Sequence, residues 1–308
     1  MDMSRLQAFV AVVENGSFTK AAKALYVTQP SISVKIQELE GYYNTKLLDR
    51  NSNRVVPTEA GTLLYEQGKR ILLLADNILK NIERLNNRDK TQIMVGASST
   101  IGNFALPCSV YLFKEKYTDV EIILSINNTE QVINDITNHS IRIAIVEGHL
   151  DEEIKKNLIS EKIKSSKIIN HELVLAAPNN AEWEGCDEIS LDDLKTIPLI
   201  LREKGSGMRN TVEKSLGEKG ISLNDLNVVL QLDSINAIIS TVSANRGVAF
   251  LPKMAIRKEL RYRTLKKITI TDTKFPHPFT LLYLTDGLSE KYHKSFIDLL
   301  KSKDRGFC

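Results

Sequence analysis

The chain of 308 residues predicts an α/β fold built in parts. An N-terminal all-α winged helix-turn-helix comes first, then a long linker helix, then a larger α/β half. Three observations carry this prediction. Residues Ser17 to Ser33 read as two short helices around a tight turn, the second opening with small polar groups. Leucine and isoleucine recur every seventh residue from Leu64 to Leu85. Beyond residue 90, apolar strand-like runs alternate with helical patterns.

In the head, Leu6, Phe9, Val10 and Val13 form one apolar helix face. Asn15-Gly16 stops that helix, because a C-terminal cap needs a left-handed residue. Ser17 caps the next helix, and Ala21, Ala22 and Leu25 face inward. Thr28 caps the third helix, and Pro30 falls in its first turn, where a missing N–H costs nothing. Ile32, Ile36 and Leu39 are its buried stripe. The other side offers Gln29, Ser31, Ser33, Val34, Lys35 and Gln37. Gln pairs bidentately with adenine, Ser bonds bases or phosphates, and Val34 can touch a thymine methyl. On its own this could equally be a solvated helix face; the turn and helix before it favour the major groove of double-stranded DNA.

Leu47 to Val56 has apolar ends around a polar middle, which predicts a two-stranded wing. Arg50 and Arg54 are candidate phosphate contacts, with pairing to Glu40 or Asp49 as the alternative. From Thr58 to about Asn87 there is no proline. Leu64, Ile71, Ile78 and Leu85, beside Ala75 and Ile82, mark a seam along a helix of roughly 45 Å. Such a helix is too long for its domain to cover, so a homodimer is expected. Asn86 to Lys90 reads as a polar hinge.

Composition agrees. Apolar residues make up 42% and charged residues 26%, which fits a globular chain. No run of about 18 apolar residues is present, so no membrane span is expected. The N-terminus shows no charged-then-apolar leader, which points to the cytoplasm. Residues 1–90 hold 13 Lys+Arg against 10 Asp+Glu, leaving 28 against 28 for the remainder. The basic excess therefore sits wholly on the candidate DNA reader. Cys108, Cys186 and Cys308 are widely spaced and odd in number, which predicts reduced thiols.

In the C-terminal half, strands are expected at 93–97, 121–124, 143–146, 173–176, 199–201, 228–232 and 248–251. Strand–helix alternation predicts parallel sheets, with ligands beyond the carboxyl ends of the strands. Ser98, Ser99 and Thr100 follow the first strand; Arg202, Ser206 and Gly207 follow another; Asn128 and Ser234 follow two more. Taken singly, each is as readily a helix cap.

The N-terminal block resembles the LysR-type transcriptional regulators of bacteria. The resemblance rests on Phe9, residues Gly16 to Leu25, Thr28 to Ser33, Ile36, Leu39-Glu40, Leu47-Leu48, Arg50 and Pro57 to Gly61. It implies that Ser17, Thr28, Gln29, Pro30, Ser31, Ser33, Val34, Lys35, Arg50 and Arg54 form the DNA-binding set. Many members carry arginine where this chain has Val34, with Lys35 at the adjacent angle. The resemblance also implies an effector-binding half like a periplasmic solute-binding protein. Its subdomain I would span about 91–165 and 268–308, and subdomain II about 166–267, after a head of 1–58 and a linker of 59–90. Ser98, Ser99, Thr100, Asn128, Arg202, Ser206, Gly207 and Ser234 would converge there on a small carboxylate or oxyanion. Arg142 stands where the family usually has an acidic residue. A homotetramer built as a dimer of dimers, contact with RNA polymerase, and a ligand-driven change in DNA bend are further implications.

No cofactor, metal or catalytic role is expected. His139, His149, His171, His277 and His293 lack metal-ligand spacing. Gly205-Ser206-Gly207 is neither a hydrolase elbow nor a phosphate loop. Cys108 and Cys186 lie too far apart in sequence to be read as the neighbouring pair of a peroxide sensor. A pure solute-binding module would not carry the first 65 residues.

Overall fold

The computed structural model describes residues 2–49, 55–86, 91–271, 273–284 and 291–308. The chain divides into two compact units, residues 1–88 and 89–308. Arg50 and Arg54, most of the hinge and the side chain of Leu85 lie outside the described residues.

The first unit holds α1 (Met3–Asn15), α2 (Phe18–Ala24) and α3 (Gln29–Tyr43), then β1 (Leu48–Asp49), β2 (Val56–Pro57) and α4 (Glu59–Asn86). Gly16 ends α1 with φ 57°, and the Ser17 hydroxyl accepts the Lys20 N–H to start α2. Phe9, Ala21, Ala22, Ile32, Ile36, Leu39 and Leu47 make the core. Two local expectations fail. Leu25 is exposed because α2 ends at Ala24, so the residue has already left the inward face. Thr28 occupies the N-cap position of α3 but makes no side-chain cap bond. β1 and β2 pair antiparallel, Leu48 opposite Pro57, as the wing requires.

The second unit has two lobes. The first lobe runs β3 (Thr91–Ser98), α5 (Ser99–Phe104), α6 (Leu106–Lys116), β4 (Val120–Asn127), α7 (Thr129–Thr137), β5 (Ile143–Glu147), α8 (Glu152–Ser160) and β6 (Ile163–Ile169). The second runs β7 (Glu172–Pro178), β8 (Glu188–Ile189), α9 (Leu191–Thr196), β9 (Leu199–Arg202), α10 (Gly207–Gly217), β10 (Val228–Leu232), α11 (Ile235–Ser243), β11 (Val248–Pro252), α12 (Arg257–Arg261), β12 (Leu265–Ile270) and β13 (Phe275–Pro276). The chain then returns to the first lobe as β14 (Phe279–Leu284) and α13 (Lys291–Lys301).

The first sheet has the order β4-β3-β5-β14-β6 and the second β10-β9-β11-β7-β12-β8, with β13 beside β7. The β3–β4, β3–β5, β9–β10 and β9–β11 pairs are parallel, but β7 and β14 run antiparallel to their neighbours. The sheets are therefore mixed rather than parallel. A parallel neighbour needs a returning helix, whereas β7 and β14 enter directly from the other lobe. The crossings fall between β6 and β7 and between β13 and β14, later than the expected points near 165 and 268, because β6 still pairs in the first sheet and β12 in the second. Helices cover both faces of the first sheet: α5, α6 and α13 on the side of Ile93, Ile145 and Phe279, α7 and α8 on the side of Ala144 and Val146.

The three cysteines are not all free thiols. Cys108 on α6 and Cys308 form a disulfide with Cα atoms 5.5 Å apart, because the segment after α13 folds back along α6. Cys186 is free.

Candidate functional site

The candidate reader helix is α3, taken from its N-terminus outward. Ile32, Ile36 and Leu39 face the core, leaving Gln29, Pro30, Val34 and Gln37 exposed and Ser31, Ser33 and Lys35 half-buried. Gln29 Nε2 donates to Ser33 Oγ at 2.9 Å, so these two candidate polar readers lie one turn apart on one edge. Ser17 sits at the start of α2, spent on its cap.

The wing is anchored by Glu40, to which the sequence assigned a place in the family pattern and a role only as an alternative partner for an arginine. Glu40 is 5% exposed. Its carboxylate accepts the N–H groups of Leu47 and Leu48, at 2.9 and 3.4 Å, and the Lys46 ammonium at 2.9 Å. Burial raises the Glu40 carboxyl, but Lys46 and these N–H groups outweigh it and hold it below the ordinary glutamate range.

Along α4, Leu64, Tyr65 and Leu72 pack on the head core. Further on, Leu74, Ile78, Leu79 and Ile82 are exposed, Ile78 by 51% and Ile82 by 50%. The seven-residue seam thus outruns its own domain.

In the second unit, Ser98 and Arg202 are the last residues of β3 and β9 rather than residues beyond them, because both strands pair one residue further than expected. Ser99, Thr100, Asn128, Ser206, Gly207 and Ser234 lie beyond strand carboxyl ends, where open α/β sheets arrange their ligand sites. Asn128 and Ser234 act as caps, accepting from Gln131 N and Ala237 N. Ser98 and Ser206 occupy N-cap positions without cap bonds, and both hydroxyls are buried without a partner among the described residues. Arg202 is 2% exposed along its side chain and reaches across the lobes to Ser99 Oγ at 3.4 Å. Its Nε and Nη2 also donate to Glu203, at 2.7 and 2.9 Å. Beside it lies a cavity of about 240 Å³ lined by Ser99, Asn103, Phe104, Asp233, Ser234, Ile235 and Asn236.

The lobes meet at a point that sequence reasoning only half anticipated. Thr129 Oγ1 accepts the Gly207 N–H at 3.2 Å, and the Glu130 N–H reaches Gly205 O at 3.0 Å. A Cβ on Gly207 would collide with the Glu147 carbonyl and the Thr129 hydroxyl. Gly148, with φ +91°, presses on Gly207 in return. The close approach enabled by Gly207 is therefore made to this chain's own backbone.

Behind this contact is a buried polar chain. Glu147 Oε1 accepts the Thr100 N–H at 3.4 Å, and Oε2 faces His277 Nε2 at 3.3 Å. His277 Nδ1 lies 2.8 Å from the Thr211 hydroxyl. Burial pushes the Glu147 carboxyl up, but His277, Thr100 and the Arg202 charge outweigh it and hold the carboxyl below its ordinary value. Glu147, Thr129 and His277 were not singled out in sequence. The only local signal was a lone carboxylate closing the buried strand Ile143-Ala144-Ile145-Val146.

Among the described residues, no group of His, Cys, Asp and Glu could hold a metal ion, and no helix is long and apolar enough to cross a membrane. Residues 3–62 match the family described as "Bacterial regulatory helix-turn-helix protein, lysR family", and residues 86–305 match "LysR substrate binding domain". The chain is 32% identical over 299 residues to a "Probable RuBisCO transcriptional regulator" of Trieres chinensis, covering 96% of this chain and 94% of the relative. The crystal structure of CbnR, a LysR family transcriptional regulator, matches with TM-score 0.64 at 19% identity, covering 98% of each chain. Full-length CbnR complexed with its target DNA matches with TM-score 0.63 at 20% identity, over 97% of this chain and 98% of that one. With a family helix-turn-helix over residues 3–62, a substrate-binding domain over residues 86–305 and a relative matched over nearly its full length, the chain belongs to the LysR family of DNA-binding transcriptional regulators, which are not enzymes.

Proposed function

We propose that this regulator reads its operator with the N-terminal end of α3 and is controlled by a small anion held between the lobes. The observation that carries the effector reading is Arg202. A nearly buried cation touches Ser99 across the cleft, with the unpartnered hydroxyls of Ser98 and Ser206 on the same rim and Thr100 on the first turn of α5. A buried guanidinium whose own partner is a partly exposed carboxylate, beside buried hydroxyls without protein partners, favours a carboxylate or an oxyanion such as sulfate or phosphate. The adjoining cavity fits a small ligand, and its Asp233 favours seating the anion at the Arg202 end. In this reading Asn128, Ser234 and Gly207 shape the rim rather than bind charge.

The head of 1–58 supplies DNA contacts from Ser17, Thr28, Gln29, Pro30, Ser31, Ser33, Val34 and Lys35, with Arg50 and Arg54 on phosphates. The helix of 59–90 joins two copies, and two such dimers form the working tetramer in the cytoplasm. Effector binding shifts the balance between two arrangements of the half spanning 91–308, altering DNA bend and contact with RNA polymerase. Nuclease-protection footprints on the DNA upstream of the gene, with and without a panel of small carboxylates and oxyanions, test this. Protection over two half-sites is expected. Gln29→Ala should weaken it by about 1–3 kcal/mol, as loss of a bidentate base contact does. Arg50→Ala and Arg54→Ala should each lower the salt slope by about one. A saturating anion that leaves the footprint and the bend unchanged would sink the effector mechanism.

A further inference from the structure

We propose that Cys108 and Cys308 are a reversible thiol–disulfide latch, by which the thiol state of the surroundings sets the mobility of the cleft wall. The inference rests on the reading of that cleft as the control site. Its starting point is the path of residues 302–308 after α13. Arg305 O accepts from the buried Ser109 hydroxyl, and Arg305 Nη1 donates to Ile168 O at 2.6 Å. Phe307 packs against the core of the first lobe. Cys308 N donates to Ala105 O at 3.2 Å, and its sulfur, bonded to Cys108, accepts the Cys108 N–H at 3.2 Å.

Ala105 is the elbow between α5 and α6. The helix before it carries Ser99, Asn103 and Phe104, three of the residues that line the cavity. On the other side, Arg257 Nη1 donates to Cys308 O at 3.2 Å, and Arg257 opens α12 of the second lobe. Cys308 therefore touches both lobes at once, and the disulfide is the covalent part of that bridge.

The chemistry of the site favours reversibility. Cys108 and Cys308 are both exposed residues, the setting in which a disulfide is open to exchange with an incoming thiolate. Proteins that work on DNA operate where thiols are kept reduced and standing structural disulfides are rare; exposed disulfides there are the ones that exchange. The co-reactant is a low-molecular-weight dithiol and its cyclic disulfide. One thiolate of the dithiol attacks a protein sulfur, the Cys108–Cys308 bond breaks, and a mixed disulfide forms. The second thiolate displaces the protein sulfur. The protein gains two electrons and two protons as two thiols, and the dithiol leaves oxidised. The reverse reaction restores the latch. Cys186, in the second lobe near Glu188 O, takes no part.

The full-length protein is equilibrated in reduced and oxidised dithiothreitol at graded ratios. Thiols are then counted by alkylation and mass, and backbone hydrogen exchange is followed by mass spectrometry. We expect one alkylated cysteine at the oxidising end and three at the reducing end. Reduction should speed exchange about tenfold in residues 302–308, at the α5–α6 elbow and at the start of α12, because a local clamp is released. Cys108→Ser and Cys308→Ser should exchange at the fast rate in every buffer, while Cys186→Ser keeps the response. Arg257→Ala should loosen α12 and leave the disulfide intact. Three alkylated cysteines at the oxidising end, one throughout, or identical exchange in both states would overturn the latch. A footprint measured on the same samples separates the two readings. Redox-dependent exchange with no footprint in either buffer would sink the DNA reading and leave the latch standing.

Discussion

Glu203 holds two nitrogens of its sequence neighbour Arg202, Nε at 2.7 Å and Nη2 at 2.9 Å, so the buried cation of the cleft already faces a carboxylate. Glu203 is 26% exposed and Arg202 only 2%, so the acid is the partner that can swing away. An anion arriving beside Ser99 must compete with it. Glu203→Gln should therefore tighten sulfate or small-carboxylate binding about tenfold, because charge-assisted pairing to a guanidinium is roughly twice as strong as a neutral hydrogen bond. Arg202→Ala should abolish binding. Calorimetric titration with both probes decides; weaker binding in the Gln variant would refute the competition.

The Glu147–His277 contact predicts a specific acid sensitivity. Glu147 is held below its ordinary value in the folded chain, so it binds its proton more readily when unfolded. Its contribution is then complete above about pH 4.3, the ordinary glutamate value, and is lost as pH falls through the lower folded value. Glu147→Gln should cost about 1–3 kcal/mol at pH 7, as disturbing a buried polar contact does. It should also flatten the fall of stability below about pH 4.3. Urea unfolding at neutral and acid pH measures both, and equal acid sensitivity in the variant and the parent would exclude the pair as its source.

Glu40 makes a simpler prediction. Glu40→Ala removes the acceptor from two buried N–H groups, those of Leu47 and Leu48. A buried donor left unmade costs about 1–3 kcal/mol, so thermal unfolding of the head should shift down by that amount. Glu40→Gln, which keeps one acceptor oxygen, should recover part of it. If the Ala variant melts with the parent, the wing is held by something else.

On α4, Ile78→Asp and Ile82→Asp place charges in the exposed apolar seam. Coiled-coil seams do not tolerate buried unpaired charge. Sedimentation should show the assembly reduced by one level, with the head still folded by circular dichroism. An unchanged mass would place the self-association elsewhere.

The parts legible in the sequence were those set by local chemistry. Gly16 and Ser17 fixed the first helix boundary, and the seven expected apolar runs all became strands. What escaped depends on distant partners. β14 is as apolar as any of those runs, yet its place between β5 and β6 appears only when the chain has returned from the second lobe. β6 carries Lys-Ser-Ser-Lys between its isoleucines and reads as surface. Ser99, Arg202 and Ser234 could be named from their positions after strands. Glu147, Thr129 and His277 could not, since each acquires its partner far away in sequence. The disulfide spans 200 residues, a separation on which spacing arguments have no purchase.

The contact of Gly148 with Gly207 gives the two-lobed half a fulcrum. Backbone meets backbone there with no room for even a methyl group, so the lobes cannot draw nearer at that spot whatever the cleft contains. A rearrangement of the lobes then has to turn around this contact rather than close through it.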